Sequence, residues 1–125
     1  MEKPHKRLEL WKASMELVAL IYKFTHNFPS HEQFALTSQI RRSAVSVPAN
    51  IAEGAARRTK KEFMQYLHIS QGSLSELDTL LELSRGLKYL TQEAWNVIDA
   101  QMVRIDKMIS GLIRKLQHPI KNTPV

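Results

Sequence analysis

The stretch QIRRSAVSVPANIAEG, Gln39 to Gly54, has helical spacing although a proline sits in its middle. At about 100° per residue, Gln39, Ser43, Ser46, Asn50, Glu53 and Arg57 fall on one narrow polar stripe. Ile40, Ala44, Val47, Ile51 and Ala55 fall on another, and Val45, Pro48, Ala52 and Ala56 widen the apolar side to nearly half the circumference. That is more apolar surface than one helix pair buries, so the pattern predicts both a core helix and a contact with another copy.

Within a helix Pro48 removes the hydrogen bond to the carbonyl of Ala44, at a cost of about 3 kcal/mol. A break at Val47 would leave a poor N-cap, so the reading is a continuous, bent helix with Ser43 or Ser46 near the freed backbone groups. Arg41 falls on the apolar half and Arg42 beside the polar stripe. Two accounts of Arg41 stand: its stem lies on apolar surface with the head in water, or it pairs with a carboxylate of another subunit. Glu53 precedes Arg57 at the favourable i,i+4 spacing. Arg42 and Glu53 lie too far apart to pair within one helix but could pair between copies.

Outward from this segment the chain reads as three more helices. Leu8 to about Asn27 forms the first, with Leu8, Trp11, Met15, Val18, Ile21, Tyr22 and Thr25 as its face, widened by Leu10, Leu17 and Phe24. Ser30 with Gln33 has the capping-box spacing, which starts helix two near His31; Thr59 with Glu62 repeats it and starts helix three. Phe63, Tyr66, Leu67, Ser70, Leu74, Leu77 and Leu81 form the buried face of helix three, and Gly86 supplies its stop. Thr91 caps helix four, whose core positions are Ala94, Trp95, Ile98, Met102, Ile105, Ile109, Leu112 and Leu116. Short connections make consecutive helices antiparallel neighbours, so the expected fold is all-α, an antiparallel up-and-down four-helix bundle. Residues 1–125 form a single domain in this reading, with a flexible tail from about Pro119.

The 125 residues carry a formal charge of +6 and no cysteine, which excludes disulfides and thiolate metal sites. The basic N-terminus lacks the apolar run of a signal peptide, and no segment approaches a membrane span, so a cytoplasmic protein without a membrane partner is expected. The positive charge is compatible with an anionic partner.

Together with EFMQYLHISQGSLSEL, Glu62 to Leu77, the Gln39 to Gly54 segment resembles the four-helix bundle proteins encoded in intervening sequences of bacterial 23S rRNA genes. LELWKASMELVALIYKFTHNFP at the start and KYL before the last helix extend the resemblance over nearly the whole chain. At the level of fold the chain also resembles the accessory protein of diversity-generating retroelements. The resemblance implies a bundle that assembles into a ring, a homopentamer, with nucleic acid as the expected partner.

The densest basic cluster is Arg57, Arg58, Lys60 and Lys61, at the turn between helices two and three, and Lys3, Lys6, Arg7 and Lys12 offer a second, more diffuse patch. Repeated in each subunit of a ring, the turn cluster would multiply weak phosphate contacts with RNA or DNA. Thr59, not an aromatic, interleaves it, so binding should be dominated by the backbone and weakly selective for sequence. Arg41, Arg42, Asn50 and Glu53 are the candidate oligomer interface. The competing reading is a structural or protein-binding oligomeric scaffold without a nucleic-acid role.

No enzymatic function is expected. No glutamate has a histidine three residues later on a core face, as a di-iron bundle requires. His5, His26, His31, His68 and His118 are scattered, and no phosphate-cradling glycine loop or activated serine is recognisable. Arg114 and His118 stand too close in sequence to match the arginine-histidine pair of helical RNases. The expectation is therefore no catalytic residue, no metal and no cofactor.

Overall fold

The computed structural model describes residues 3–118, which form four helices: α1 (Glu9–Thr25), α2 (Leu36–Ala55), α3 (Lys60–Gly86) and α4 (Gln92–Gln117). Among the described residues there is no strand. Consecutive helices pack against each other and α1 closes against α4, whereas the diagonal pairs make no close backbone approach. The direction of packing follows from the side chains: Ser46 meets Ser73 while Gly54 faces Phe63 and Tyr66, so α2 and α3 run antiparallel. Likewise Gln71 reaches Ser110 and Arg85 reaches Gln92 across α3 and α4. The result is the expected all-α, four-helix bundle.

One apolar core runs through it, with Leu17, Ile21, Ile40, Val47, Ile51, Leu67, Leu77, Leu81, Ile98, Ile105 and Ile109 fully enclosed. The buried faces of α3 and α4 follow the sequence periodicity closely; Ile113 joins the core of α4 while Leu112 and Leu116 pack at its edge. The face of α1 is rotated from the expected one. Leu10, Ala13, Ser14, Leu17, Ile21 and Thr25 are buried, and Met15 and Tyr22 are exposed. Ser14 and Thr25 tolerate burial because their hydroxyls donate to the carbonyls of Leu10 and Ile21, at 2.8 and 2.7 Å.

Helix two starts at Leu36, not near His31. Ser30–Glu32 is a single 3-10 turn in which the Gln33 amide donates to the Ser30 carbonyl at 3.1 Å, so the Ser30 hydroxyl caps no helix. Glu32 takes over part of that role: one carboxylate oxygen lies 3.5 Å from the Leu36 amide, and the other accepts from the Tyr89 phenol at 3.1 Å. Desolvation, then the bond to Glu32, holds that phenol above its ordinary pKa. The tighter turn satisfies the local amides without propagating an α-helix.

The other two caps form as expected. Thr59 accepts from the Glu62 amide and Thr91 from the Ala94 amide, both at 3.1 Å. At the end of α3 the expected glycine is not the residue that turns the chain. Lys88 takes the left-handed conformation, φ 65°, while Tyr89 donates to the Ser84 carbonyl and Lys88 to that of Arg85, both at 2.9 Å. This is the Schellman arrangement with lysine where glycine is usual. Lys88→Gly is therefore expected to raise stability by about 0.5–1 kcal/mol, because a β-carbon is disfavoured there; a lower denaturation midpoint for the variant would contradict this account of the turn.

Pro48 lies inside α2, buried, and the helix is continuous from Leu36 to Ala55. The carbonyls just before it are served from outside the backbone ladder: Asn50 Nδ2 donates to Ser46 O at 2.9 Å, and Ser70 Oγ to Val47 O at 2.9 Å. Asn50 and Ser70, rather than the hydroxyl of Ser43 or Ser46, are thus the side chains bonded to carbonyls beside the proline. The tail from Pro119 lies outside the described residues.

Candidate functional site

The α2–α3 turn holds the four cations singled out in the sequence, and it does not treat them alike. Arg57 is anchored. It forms an ion pair with Glu53, donates to the Tyr66 phenol at 3.0 Å, and lies with its guanidinium 4.9 Å from the Tyr66 ring centre. Arg58, Lys60 and Lys61 are exposed and have no ion-pair partner among the described residues. The Thr59 cap fixes the turn that carries them, and the Thr59 hydroxyl donates to the Glu62 carboxylate at 3.1 Å. The cations of this turn without an ion-pair partner are therefore Arg58, Lys60 and Lys61, while Arg57 braces the turn.

Of the four residues expected at a subunit interface, three, Glu53, Asn50 and Arg41, are occupied within the chain. Glu53 pairs with Arg57, and the amide nitrogen of Asn50 donates to both the carbonyl and the hydroxyl of Ser46. The polar stripe is in part an internal seam, because Ser46 Oγ lies 2.7 Å from Ser73 Oγ of α3 and Ser43 is buried. Sequence periodicity could not separate a polar seam between two helices from a polar outer face.

Arg41 has a partner that neither account of it included. Its Nε donates to Thr25 Oγ1 at 3.0 Å, and its guanidinium lies 4.5 Å from the Tyr22 ring centre. No carboxylate pairs with Arg41 or Arg42 among the described residues. Both arginines line a shallow groove with Tyr22, Phe34 and Val45. Phe34 is 91% exposed there, beside Tyr22 and Val45, which are also exposed. On its other side Arg41 lines a small cleft with Thr37, whose buried hydroxyl has no hydrogen-bond partner. Phe34 was missed in the sequence because helix two was expected to include it.

A groove of the opposite charge lies between α3 and α4, about 440 Å³, lined by Asp78, Asp99 and Asp106 with Leu74, Met102, Val103 and Lys107. Desolvation, then Glu82 and Asp99 nearby, raises the carboxyl of Asp78 above its ordinary pKa. For an acid that shift means the ionised form is disfavoured by the fold. Asp78→Asn is accordingly expected to raise the melting temperature of dilute protein slightly at neutral pH. The gain should vanish as pH falls and Asp78 becomes protonated in the parent; a gain that grew toward acid pH would contradict the crowding.

Among the described residues no group of three or more histidines, cysteines or carboxylates is placed to hold a metal, and no helix is long and apolar enough to cross a membrane. The family model of the 23S rRNA-intervening sequence protein matches residues 6–111. The chain belongs to that family. A crystal structure of a protein of unknown function from the S23 ribosomal protein family, from Bacteroides thetaiotaomicron VPI-5482, is similar to it. The two share 29% identity and a TM-score of 0.75, over 83% of this chain and 97% of that one. No curated protein is significantly similar to the chain.

Proposed function

We propose that this family member is a cytoplasmic accessory protein that assembles with copies of itself and holds the phosphate backbone of RNA or DNA, without sequence preference and without catalysis. The observation that carries the binding reading is the α2–α3 turn, where Arg58, Lys60 and Lys61 are exposed and unpaired on a capped, braced scaffold. Point charges without an aromatic platform suit phosphates rather than bases. The family's name, 23S rRNA-intervening sequence protein, is in keeping with a nucleic-acid setting.

Assembly is supported by two surfaces of unlike character. One presents Phe34 with Arg41 and Arg42, and the other is the acidic groove of α3 and α4. Such a contact is heterologous, the kind that closes into a ring when the rotation allows, and five copies is the number the family resemblance implies. A carboxylate delivered by the neighbouring copy would meet Arg41 and the unpartnered hydroxyl of Thr37. The scaffold reading, in which the Phe34 face receives another protein and no nucleic acid binds, rests on that same patch.

The two readings separate in one experiment. Gel shift of a short duplex with the wild type and with Arg58→Gln/Lys60→Gln/Lys61→Gln should give at least tenfold weaker binding by the variant at roughly 50 mM salt, where phosphate contacts are strong. Equal retention by both proteins would remove the turn from the site, and no retention by either would leave the scaffold reading.

A further inference from the structure

The α2–α3 turn is one of four chain segments that the fold gathers at the same end of the bundle. In an antiparallel bundle the start of α1, the end of α2, the start of α3 and the end of α4 share one end. Contacts agree with this placement. The 3-10 turn Pro4–Arg7 packs against both α1 and α2, and Gln71, about three turns into α3, reaches Ser110, about two turns before the end of α4, so the start of α3 and the end of α4 lie at one end. Lys3, Lys6 and Arg7 precede α1, and Arg114 and Lys115 stand in the last turn of α4, all of them exposed.

Charge is distributed accordingly. Through Lys12 at one extreme and Arg114 at the other, this end carries ten lysines and arginines against three carboxylates, Glu9, Glu53 and Glu62. Glu9 pairs with Lys12, and Glu53 with Arg57. The remainder of the described chain carries seven cations and eight carboxylates. The whole excess of positive charge thus sits at one end, although the charged residues are spread along the sequence. A solvated surface that only prevents aggregation does not need this segregation, whereas a surface that neutralises a phosphate backbone does.

We infer that the binding surface for a phosphodiester backbone is the whole basic end of the bundle, with Lys3 and Lys6 on one side and Arg114 and Lys115 on the other completing the site at the α2–α3 turn. The inference rests on the nucleic-acid reading above and extends it to residues distant from the turn in sequence. Two aromatic rings of this end are already engaged: Tyr66 is covered by Arg57, and Trp11 packs edge-on to His5 at 4.9 Å. The recognised chemistry is therefore the phosphate run itself, shared by RNA and DNA.

The test is the salt dependence of binding, measured by fluorescence anisotropy on duplex RNA, duplex DNA and single strands of the same length. In the variant Lys3→Gln/Lys6→Gln/Arg114→Gln/Lys115→Gln, each lost phosphate contact should reduce the slope of log K against log salt by about 0.9 on duplex DNA and about 0.7 on single strands. A reduction of about two or more on duplex DNA is the expected result. Lys23→Gln, at the opposite end of α1, should leave the slope unchanged. If the wild type binds, the turn variant flattens the slope and the four-site variant does not, the extended site is overturned while the turn remains. If the wild type does not bind at all, the nucleic-acid reading itself fails. Should the four-site variant lose helix content, Lys3→Gln/Lys6→Gln alone decides the question, since those residues lie outside the four helices; it should still reduce the slope by about one on duplex DNA, and an unchanged slope overturns the extended site.

Discussion

Replacing Gly54 by alanine is expected to lower the melting temperature by roughly 5–10 °C, the consequence of losing about 2 kcal/mol in a domain of this size. Two effects oppose each other. Alanine within a helix gains about 1 kcal/mol over glycine from propensity. Against that, a β-carbon at Gly54 would stand 2.7 Å from the Tyr66 β-carbon, 2.9 Å from the Phe63 ring and 3.3 Å from the Phe63 carbonyl. The first and last of these neighbours belong to the frame of α3 and cannot rotate away, so overpacking of about 3 kcal/mol dominates. Gly72→Ala supplies the control, because nothing lies within 4 Å of a β-carbon there, and propensity alone should stabilise it by about 1 kcal/mol. Thermal melting followed by circular dichroism checks both. A Gly54→Ala protein as stable as Gly72→Ala would mean that α2 and α3 do not approach this closely.

The second large effect is expected at Phe34. Phe34→Asp should convert the assembled protein to monomer at micromolar concentration while leaving the monomer's melting temperature nearly unchanged. The side chain is almost wholly exposed in the single chain, so the fold loses little when it is replaced. At an interface, an aromatic anchor of this kind carries about 2–4 kcal/mol, a loss of roughly 30- to 1,000-fold in affinity per contact. A negative charge placed toward the partner's acidic groove adds repulsion. Light scattering gives the mass directly. Unchanged assembly in Phe34→Asp would exclude this face from the interface, and a large drop in monomer stability would show that Phe34 packs within the chain.

What the sequence made legible is the regular part of the molecule. Leucine and isoleucine at helical spacing placed α3 and α4, because burial on one face is what keeps that spacing, and threonine with an acid three residues later marked the start of α3 because that geometry satisfies an orphan amide. The start of α2 was not legible: Ser30 has the composition of a cap, yet its backbone closes a tighter turn and Glu32, held by Tyr89 from another connection, serves Leu36 instead. Gly54 carried no signal of its own, since its close approach to Phe63 and Tyr66 depends on how α2 and α3 cross, which periodicity does not specify. At the site, periodicity placed Ser46, Asn50 and Glu53 on one stripe and gave Glu53 its i,i+4 partner Arg57, but it could not tell that Ser73 of α3 already engages Ser46. The basic end was legible only in pieces, the turn cluster and the patch from Lys3 to Lys12, and their union with the end of α4 was not. Lys3 and Lys6 stand more than a hundred residues from Arg114 and Lys115, and the two pairs come to one end only through topology.

The account is tested most directly by weighing the complex: wild-type protein with a short duplex, passed through size exclusion with light scattering at roughly 50 mM and again at roughly 300 mM salt, where phosphate contacts are strong and weak respectively. It predicts a multimer carrying nucleic acid at low salt and the same multimer without it at high salt. A monomer free of nucleic acid under both conditions would contradict it.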